Sequence, residues 1–189
     1  MLLDKIKKII QIIISKRFYS GVKIKNIVIK NPIYITKGIN FGDNIIIWDN
    51  ARIEVVTKYN KKKYNPNLVI EDNVSIQQNC HITCGEELII GKGTSILENV
   101  GIFDIIHPYT NIDIPPYKQD IMTKKISIGE NCLIGMNSVI LPGSKLGNHN
   151  VVGAGSVVNG EFPDYCVLVG SPAKMIKKYN KYTRKWERV

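Results

Sequence analysis

From Ile128 to Pro163 the chain repeats every six residues, reading IGENCL, IGMNSV, ILPGSK, LGNHNV, VGAGSV and VNGEFP. An aliphatic residue opens each unit, and the fourth place is held in turn by Asn131, Asn137, Gly143, His149 and Gly155. Gly and Asn enter the left-handed backbone region at the least cost. A period of six is neither that of a flat strand nor that of a helix. It asks for a short strand, a sharp corner and one inward aliphatic per unit. Three such units to a turn close a solenoid of triangular section with the aliphatics inside.

The same beat runs upstream. Ile29, Ile35, Phe41, Ile47 and Ile53 are evenly spaced, with Gly38, Asn44 and Asn50 at the fourth place. It breaks for residues 56–68, VTKYNKKKYNPNL, a polar, basic and turn-rich excursion. It resumes at Ile70, Ile76 and Ile82, slips by two residues to Ile90, and continues through Ile96 and Ile102. A second excursion fills residues 103–127 before Ile128. Let Ile29 define face A, Ile35 face B and Phe41 face C. Ile53, Ile82 and Ile102 then fall on face B, and Ile70, Ile90 and Ile128 on face C. All three interruptions leave from one corner and should stack along one edge. A regular solenoid has little concave surface, so that edge is the expected active-site edge.

The tandem Leu/Ile/Val-Gly-x-Asn/Gly-Ser/Cys-x units lead into Val152-Gly-Ala-Gly-Ser-Val-Val158 and then Gly170-Ser-Pro-Ala-Lys174. In this the chain resembles the hexapeptide-repeat acyltransferases, and among them the sugar O-acetyltransferases of maltose, galactosides, capsule and O-antigen. The resemblance covers roughly residues 27–180. It implies an all-β fold, a left-handed parallel β-helix that departs from the right-handed crossover rule. It also implies a homotrimer, acetyl-CoA as donor, and no metal. The expected layout is an N-terminal amphipathic helix and linker over 1–26, the β-helix over 27–170, and a short C-terminal helix with a basic tail over 171–189.

At 189 residues and 44% hydrophobic content, one soluble domain is expected. The four cysteines have no metal spacing. Cys80 and Cys132 take the fifth place of their units, where Ser138, Ser144 and Ser156 stand elsewhere, so buried reduced thiols and a cytoplasmic protein are expected. The net charge of +10 sits at the ends: residues 1–30 and 174–189 together hold +13 and the middle −3. A polysaccharide or other anionic acceptor, the phosphates of CoA or the inner face of an anionic membrane would all use such charge. Nucleic acid is not expected, because no recognition motif accompanies the lysines. Ile6, Ile9, Ile10 and Ile13 form an amphipathic helical stripe that either caps the solenoid, packs in the oligomer or lies on a membrane surface. The apolar run is too short to span a bilayer.

The second excursion carries His107-Pro108, five residues after Ile102. Galactoside and maltose acetyltransferases similarly place a His-Pro at the start of their catalytic loop, so the resemblance makes His107 the general base. The chemistry suits it, because a sugar hydroxyl is a poor nucleophile and an imidazole titrates near neutrality. Asp104, Glu98 or a loop carbonyl would orient it. Gln77 stands where the galactoside enzyme has an acceptor-contacting Asn, and His81 and Tyr109 are further acceptor candidates. His149 reads as a corner residue. The family lays the donor along late coils, which points to Gly135, Ala154, Gly155 and Asn159, with Lys174 and Lys177 for phosphate. Asn159-Gly160 replaces a Lys common in the family. Tyr179 and Trp186 are expected to pack back on the last coil.

Three other functions remain open on these residues. One is N-acetylation of an amino-sugar nucleotide or amino acid. Another is a zinc hydratase of the same fold, disfavoured because no His-x4-His pair exists among the three histidines. The last is a non-catalytic trimeric scaffold.

Overall fold

An inward aliphatic at every sixth residue leaves water only by stacking on its counterparts one coil above and below. The computed structural model, which describes residues 27–189 apart from 31 and 33, shows this arrangement. Three parallel sheets form the faces of a left-handed β-helix. Face A runs from Val28–Ile29 through Ile46–Ile47, Ser75–Ile76, Ser95–Ile96, Leu133–Ile134 and Val151–Val152 to Cys166–Gly170. Face B starts at Tyr34–Ile35 and ends at Val157–Val158, and face C starts at Ile39–Phe41 and ends at Glu161–Phe162.

The register joins like to like. On face B, Ile35 pairs with Ile53, Ile53 with Ile82, Ile82 with Ile102, Ile102 with Ile140 and Ile140 with Val158. Ile47, Ile53, Ile76, Ile82, Ile96, Ile102, Ile134 and Ile140 are wholly buried. Each contributes about 1.5–3 kcal/mol by leaving water. The fifth places also point inward, so Ser138, Ser144, Ser156, Cys80, Cys132 and Cys166 are buried; Cys84, two residues after Ile82, is buried as well, and all four thiols are unpaired. Burial pushes the Cys80 thiol up to about 11, which keeps it unreactive.

The corners are where the repeat predicts them. Asn44, Asn50, Asn73, Asn79, Asn99, Asn131 and Asn137 take φ between 54° and 60°, and His149 takes 54°. Their amides form ladders between coils, Asn44 to Asn73 and Asn50 to Asn79 at 3.2 Å and Asn99 to Asn137 at 3.0 Å. The corner from face C to face A is the tightest. A Cβ on Gly129 would lie 2.6 Å from the carbonyl carbon of Gly147 in the next coil.

Both excursions and the two-residue slip leave from the corner between faces B and C, as expected. The repeat extends further than Pro163: Val158 is followed after four residues by inward Phe162, paired with Leu146, and Leu168 pairs with Val152. That shortened unit also falls between faces B and C.

The expected C-terminal helix is not formed. Residues Ala173–Asn180 make a strand antiparallel to Cys166–Gly170, and Lys185–Arg188 add another. Ala173, Met175, Lys177 and Tyr179 are turned inward while Lys174, Ile176 and Lys178 are exposed. This alternation lets the tail satisfy the open edge of face A, which a helix could not do. Tyr179 and Trp186 do pack back: His149 stacks on Tyr165 at 5.2 Å, Tyr165 meets Tyr179 at 6.1 Å, and Tyr179 meets Trp186 at 5.5 Å. The N-terminal amphipathic helix lies outside the described residues. Among those residues no helix is long and apolar enough to cross a membrane.

Candidate active site

The broken corner is held together by the excursions themselves. Residues Lys58–Tyr59 and Lys62–Lys63 form a hairpin, and Ile105–Ile106 pair antiparallel with Met122–Thr123 at the root of the second loop. The first hairpin clasps the second loop. Tyr59 donates its hydroxyl proton to the Tyr117 carbonyl at 2.8 Å, and Tyr64 donates to the Ile121 carbonyl at 2.9 Å. The Asn60 amide reaches the carbonyls of Lys118 and Gln119 at 3.0 and 3.2 Å.

Between these loops and the outer surface of face B lies a cleft of ≈ 780 Å³. His107, Tyr59 and Lys58 line it from the excursions, and Arg52, Glu54, His81, Thr83 and Phe103 from face B. His107 is exposed, its ring edge-on to Tyr59 with centroids 5.5 Å apart. The imidazole therefore stands at the mouth of the cleft, where a ligand hydroxyl can reach it.

A polar cluster forms the wall on face B. Arg52 Nη2 donates to both oxygens of Glu54 at 3.1 and 3.0 Å, and Thr83 Oγ1 donates to the same carboxylate at 3.4 Å. His81 Nε2 lies 3.2 Å from Thr83 Oγ1 and 3.8 Å from Glu54 Oε1, and its ring meets Phe103 edge-on at 5.0 Å. Burial, and then the Arg52 guanidinium, hold the His81 imidazole below its usual range, while Glu54 pulls it back up. Hydrogen-bonding groups beside the aromatic rings of Tyr59 and Phe103 suit a polyhydroxylated ligand.

The other candidates divide. Asp104 does not orient His107 with its carboxylate. Its two oxygens accept the N–H groups of Gly85 and Glu86, at 2.6 and 2.8 Å, and so plug the two-residue slip in the coil below. Burial pushes its carboxyl above the usual range, against those donors. Glu98 stands at the A–B corner and Gln77 follows Ile76 on face A, its amide donating to Ser75 at 3.3 Å, so neither lines the cleft of its own chain. Tyr109 is 75% exposed and also outside the lining.

Among the donor candidates, Gly135, Ala154 and Gly155 gather at the A–B corner of the last coils, and Lys174 and Lys177 lie on the strand that extends face A beyond them. Gly135 is glycine for the coil's sake, since its Cβ would lie 2.6 Å from the Ala154 nitrogen. Gly155, at φ 69°, has open space where a side chain would be, and Ala154 is exposed. This surface can accept an extended chain along the backbone. Asn159 sits apart, at the B–C corner. A second hollow, of ≈ 800 Å³, lies between Pro163–Tyr165 and the terminal hairpin and shares no residue with the His107 cleft. Among the described residues no three His, Cys, Asp or Glu side chains are placed to hold a metal ion.

Glu54, Arg52, Thr83 and Tyr59 were not singled out from sequence. The signal that could have found them is positional: Arg52 and His81 flank inward Ile53 and Ile82, on neighbouring strands at the broken corner.

Comparison with known proteins agrees with this architecture. Residues 125–160 match the bacterial transferase hexapeptide (six repeats) family. The Escherichia coli protein WbbJ, named for an O-acetyl transferase role in lipopolysaccharide biosynthesis, is 33% identical over 192 residues, which span 97% of this chain and 92% of that protein. The hexapeptide-repeat acetyltransferase VCA0836 of Vibrio cholerae, solved with acetyl coenzyme A, superposes with a TM-score of 0.62 at 23% identity, over 76% of this chain and 72% of its own. A point variant of AntD, an N-acyltransferase from Bacillus cereus solved with dTDP and coenzyme A, gives 0.58 at 22% identity, over 86% and 83%. The two structures share the fold, and the near full-length similarity to WbbJ goes beyond it: the chain belongs to the hexapeptide-repeat acyltransferases.

Proposed function

We propose that the protein transfers acetyl from acetyl-CoA directly to a hydroxyl of a surface-polysaccharide sugar or its precursor, with His107 as general base. The observation that carries this is the single broken edge of the solenoid, whose cleft has an exposed imidazole at its mouth and a sugar-like wall of Arg52, Glu54, His81 and Phe103. The donor supplies a thioester-activated acetyl group. His107 takes the proton from the acceptor hydroxyl as its oxygen bonds to the acetyl carbon, and returns that proton to the departing sulfur. Ala154 and Gly155 offer backbone along which pantetheine lies, and Lys174 and Lys177 offer charge for its phosphates. His81 holds the acceptor in place.

The exposed outer side of face A, with Val28, Ile46 and Leu133 between 39% and 51% exposed, supports a homotrimer in which that strip is covered. Four buried free thiols support a cytoplasmic setting, and the basic ends support contact with an anionic membrane.

The test is calorimetric titration of acetyl-CoA into wild type and His107→Ala, followed by turnover on a panel of sugars and amino sugars. Binding by both, with turnover in the variant down by about 10²–10⁴, is expected. No binding by either, or full turnover by His107→Ala, would overturn the reading. Turnover confined to amino sugars would make the reaction N-acetylation.

A further inference from the structure

The first excursion has more charge than a clasp requires. Lys58, Lys61, Lys62 and Lys63 fall within six residues that contain no acid, whereas the rest of residues 31–173 holds seven cations against fourteen acids. The hairpin is therefore a concentrated positive feature on an otherwise acidic solenoid.

Its geometry separates two jobs. The neutral side chains Tyr59, Asn60 and Tyr64 make the hydrogen bonds to the catalytic loop. The four lysines are left exposed. Three other cations near this edge are matched, Arg52 by Glu54, Lys125 by Glu87 at 3.2 Å and Lys145 by Glu161, while Lys118 and Lys124 of the second excursion have no acidic partner among the described residues. Among the described residues the four hairpin lysines form no ion pair, and Lys62 alone has an aromatic neighbour, its Nζ 5.3 Å from the Tyr64 ring centroid. Four like charges held together without an ion-pair partner repel one another, and an anion relieves that repulsion. Lys58 lines the same cleft as His107.

Coil order assigns the anion. The hairpin leaves the coil of Ile53, His107 leaves the coil of Ile102, and the donor candidates lie in the coils of Ile134 and Val152. Coils stack about 4.8 Å apart, so the roots of the hairpin and of Gly135 are about 14 Å apart along the axis, with His107 between them. Along the axis the root of the hairpin and the donor surface thus lie on opposite sides of the coil that carries His107. We propose that the four lysines bind a diphosphate on the acceptor, so that the sugar enters the cleft as a glycosyl diphosphate. Compact ammonium groups on flexible stems suit a diphosphate whose orientation is set by the sugar beyond it. This inference rests on the acetyl-transfer reading for the placing of donor and acceptor.

The test compares the wild type with Lys58→Ser, and with a variant carrying Ser at all four hairpin lysines, by calorimetry. Probes are inorganic pyrophosphate, UDP-glucose, a short-chain polyprenyl diphosphoglucose, glucose, polygalacturonate and acetyl-CoA. Pyrophosphate and at least one glycosyl diphosphate should bind the wild type. Their affinity should fall about tenfold or more in the four-serine variant, and again as salt rises from about 50 to 200 mM, with acetyl-CoA affinity unchanged. A nucleotide carrier is indicated when UDP-glucose binds, a lipid carrier when the prenyl compound binds alone.

The proposal fails if neither pyrophosphate nor a glycosyl diphosphate binds, if the serine variant binds them as the wild type does, if acetyl-CoA displaces pyrophosphate, or if polygalacturonate alone responds to the lysines. Lysine-dependent pyrophosphate binding by a protein that does not bind acetyl-CoA would leave the anion site standing and sink the transferase reading.

Discussion

The corner between faces C and A and the corner between faces B and C are built on the same coils, yet one is closed and the other open. At the closed corner, Asn44 bonds Asn73 in the next coil, and Gly91, Gly129 and Gly147 lie against one another so closely that no Cβ fits. Nothing can be inserted there without separating the coils. At the open corner the coil-to-coil ladder is replaced by the clasp of Tyr59, Asn60 and Tyr64 and by the Asp104 plug. The regular repeat gives rigidity and leaves no room for a ligand. Where the repeat is suspended, separate hydrogen bonds must hold the chain, and a cleft becomes available.

The contrast breaks most visibly at the closed corner. Gly129→Ala should destabilise the fold by about 2–3 kcal/mol in denaturant melts, because backbone rather than a mobile side chain stands in the way. A loss under about 0.5 kcal/mol, the level expected for an exposed hairpin residue such as Lys61→Ala, would mean that the coils are not locked there. Asp104→Asn comes next, at about 1–3 kcal/mol, since an amide puts N–H groups against one of the two backbone donors it must satisfy. If Asp104 served His107 instead, Asp104→Asn would reduce turnover while the melting midpoint stayed in place.

Tyr64→Phe should cost about 1 kcal/mol by leaving the Ile121 carbonyl without its donor. Its sharper readout is faster proteolysis within residues 104–125 while the solenoid stays intact. Loss of protection across the whole chain would show that the two regions do not open separately.

The smallest effect concerns pH. Because the folded protein holds the His81 proton less tightly than the unfolded chain, His81 contributes stability above the ordinary histidine range and loses it as pH falls from about 6.5 towards its depressed folded value. The slope is shallow, well under about 1 kcal/mol, since the side chain is 40% exposed. Melting temperature against pH should show this component in the wild type and not in His81→Asn. An identical acid limb in both would remove His81 from the account.

The solenoid was legible because its core and corners obey one local rule. Ile53 and Ile82 announce their burial by spacing, and His149 announces its corner by standing where Asn and Gly stand. The shared edge of the excursions followed from counting units in threes. The site was legible only where it departs from the repeat, at His107. Glu54, Arg52 and Thr83 point outward from strands, and nothing in a solenoid's pattern distinguishes a functional outward residue from a solvated one. The plug that Asp104 forms was not legible because its partners are nineteen and eighteen residues away in sequence and one coil away in space. The tail AKMIKKYN carries helical and alternating signals together, and the open edge of face A decided between them.

That last choice has a consequence for how the molecule behaves in a crowd. A parallel β-helix that stopped at Leu168 would present on face A the same row of donors and acceptors that each coil offers the next, an invitation to another chain's first coil. The return strand Ala173–Asn180 reverses the strand direction and Lys185–Arg188 reverses it again, so the edge is a strand every residue of which is exposed and three of which are charged. A second molecule finds there a charged, exposed edge in place of the apolar row of a coil. The terminal hairpin covers the last coil of face A and discourages end-to-end growth along this face through the charge on its edge.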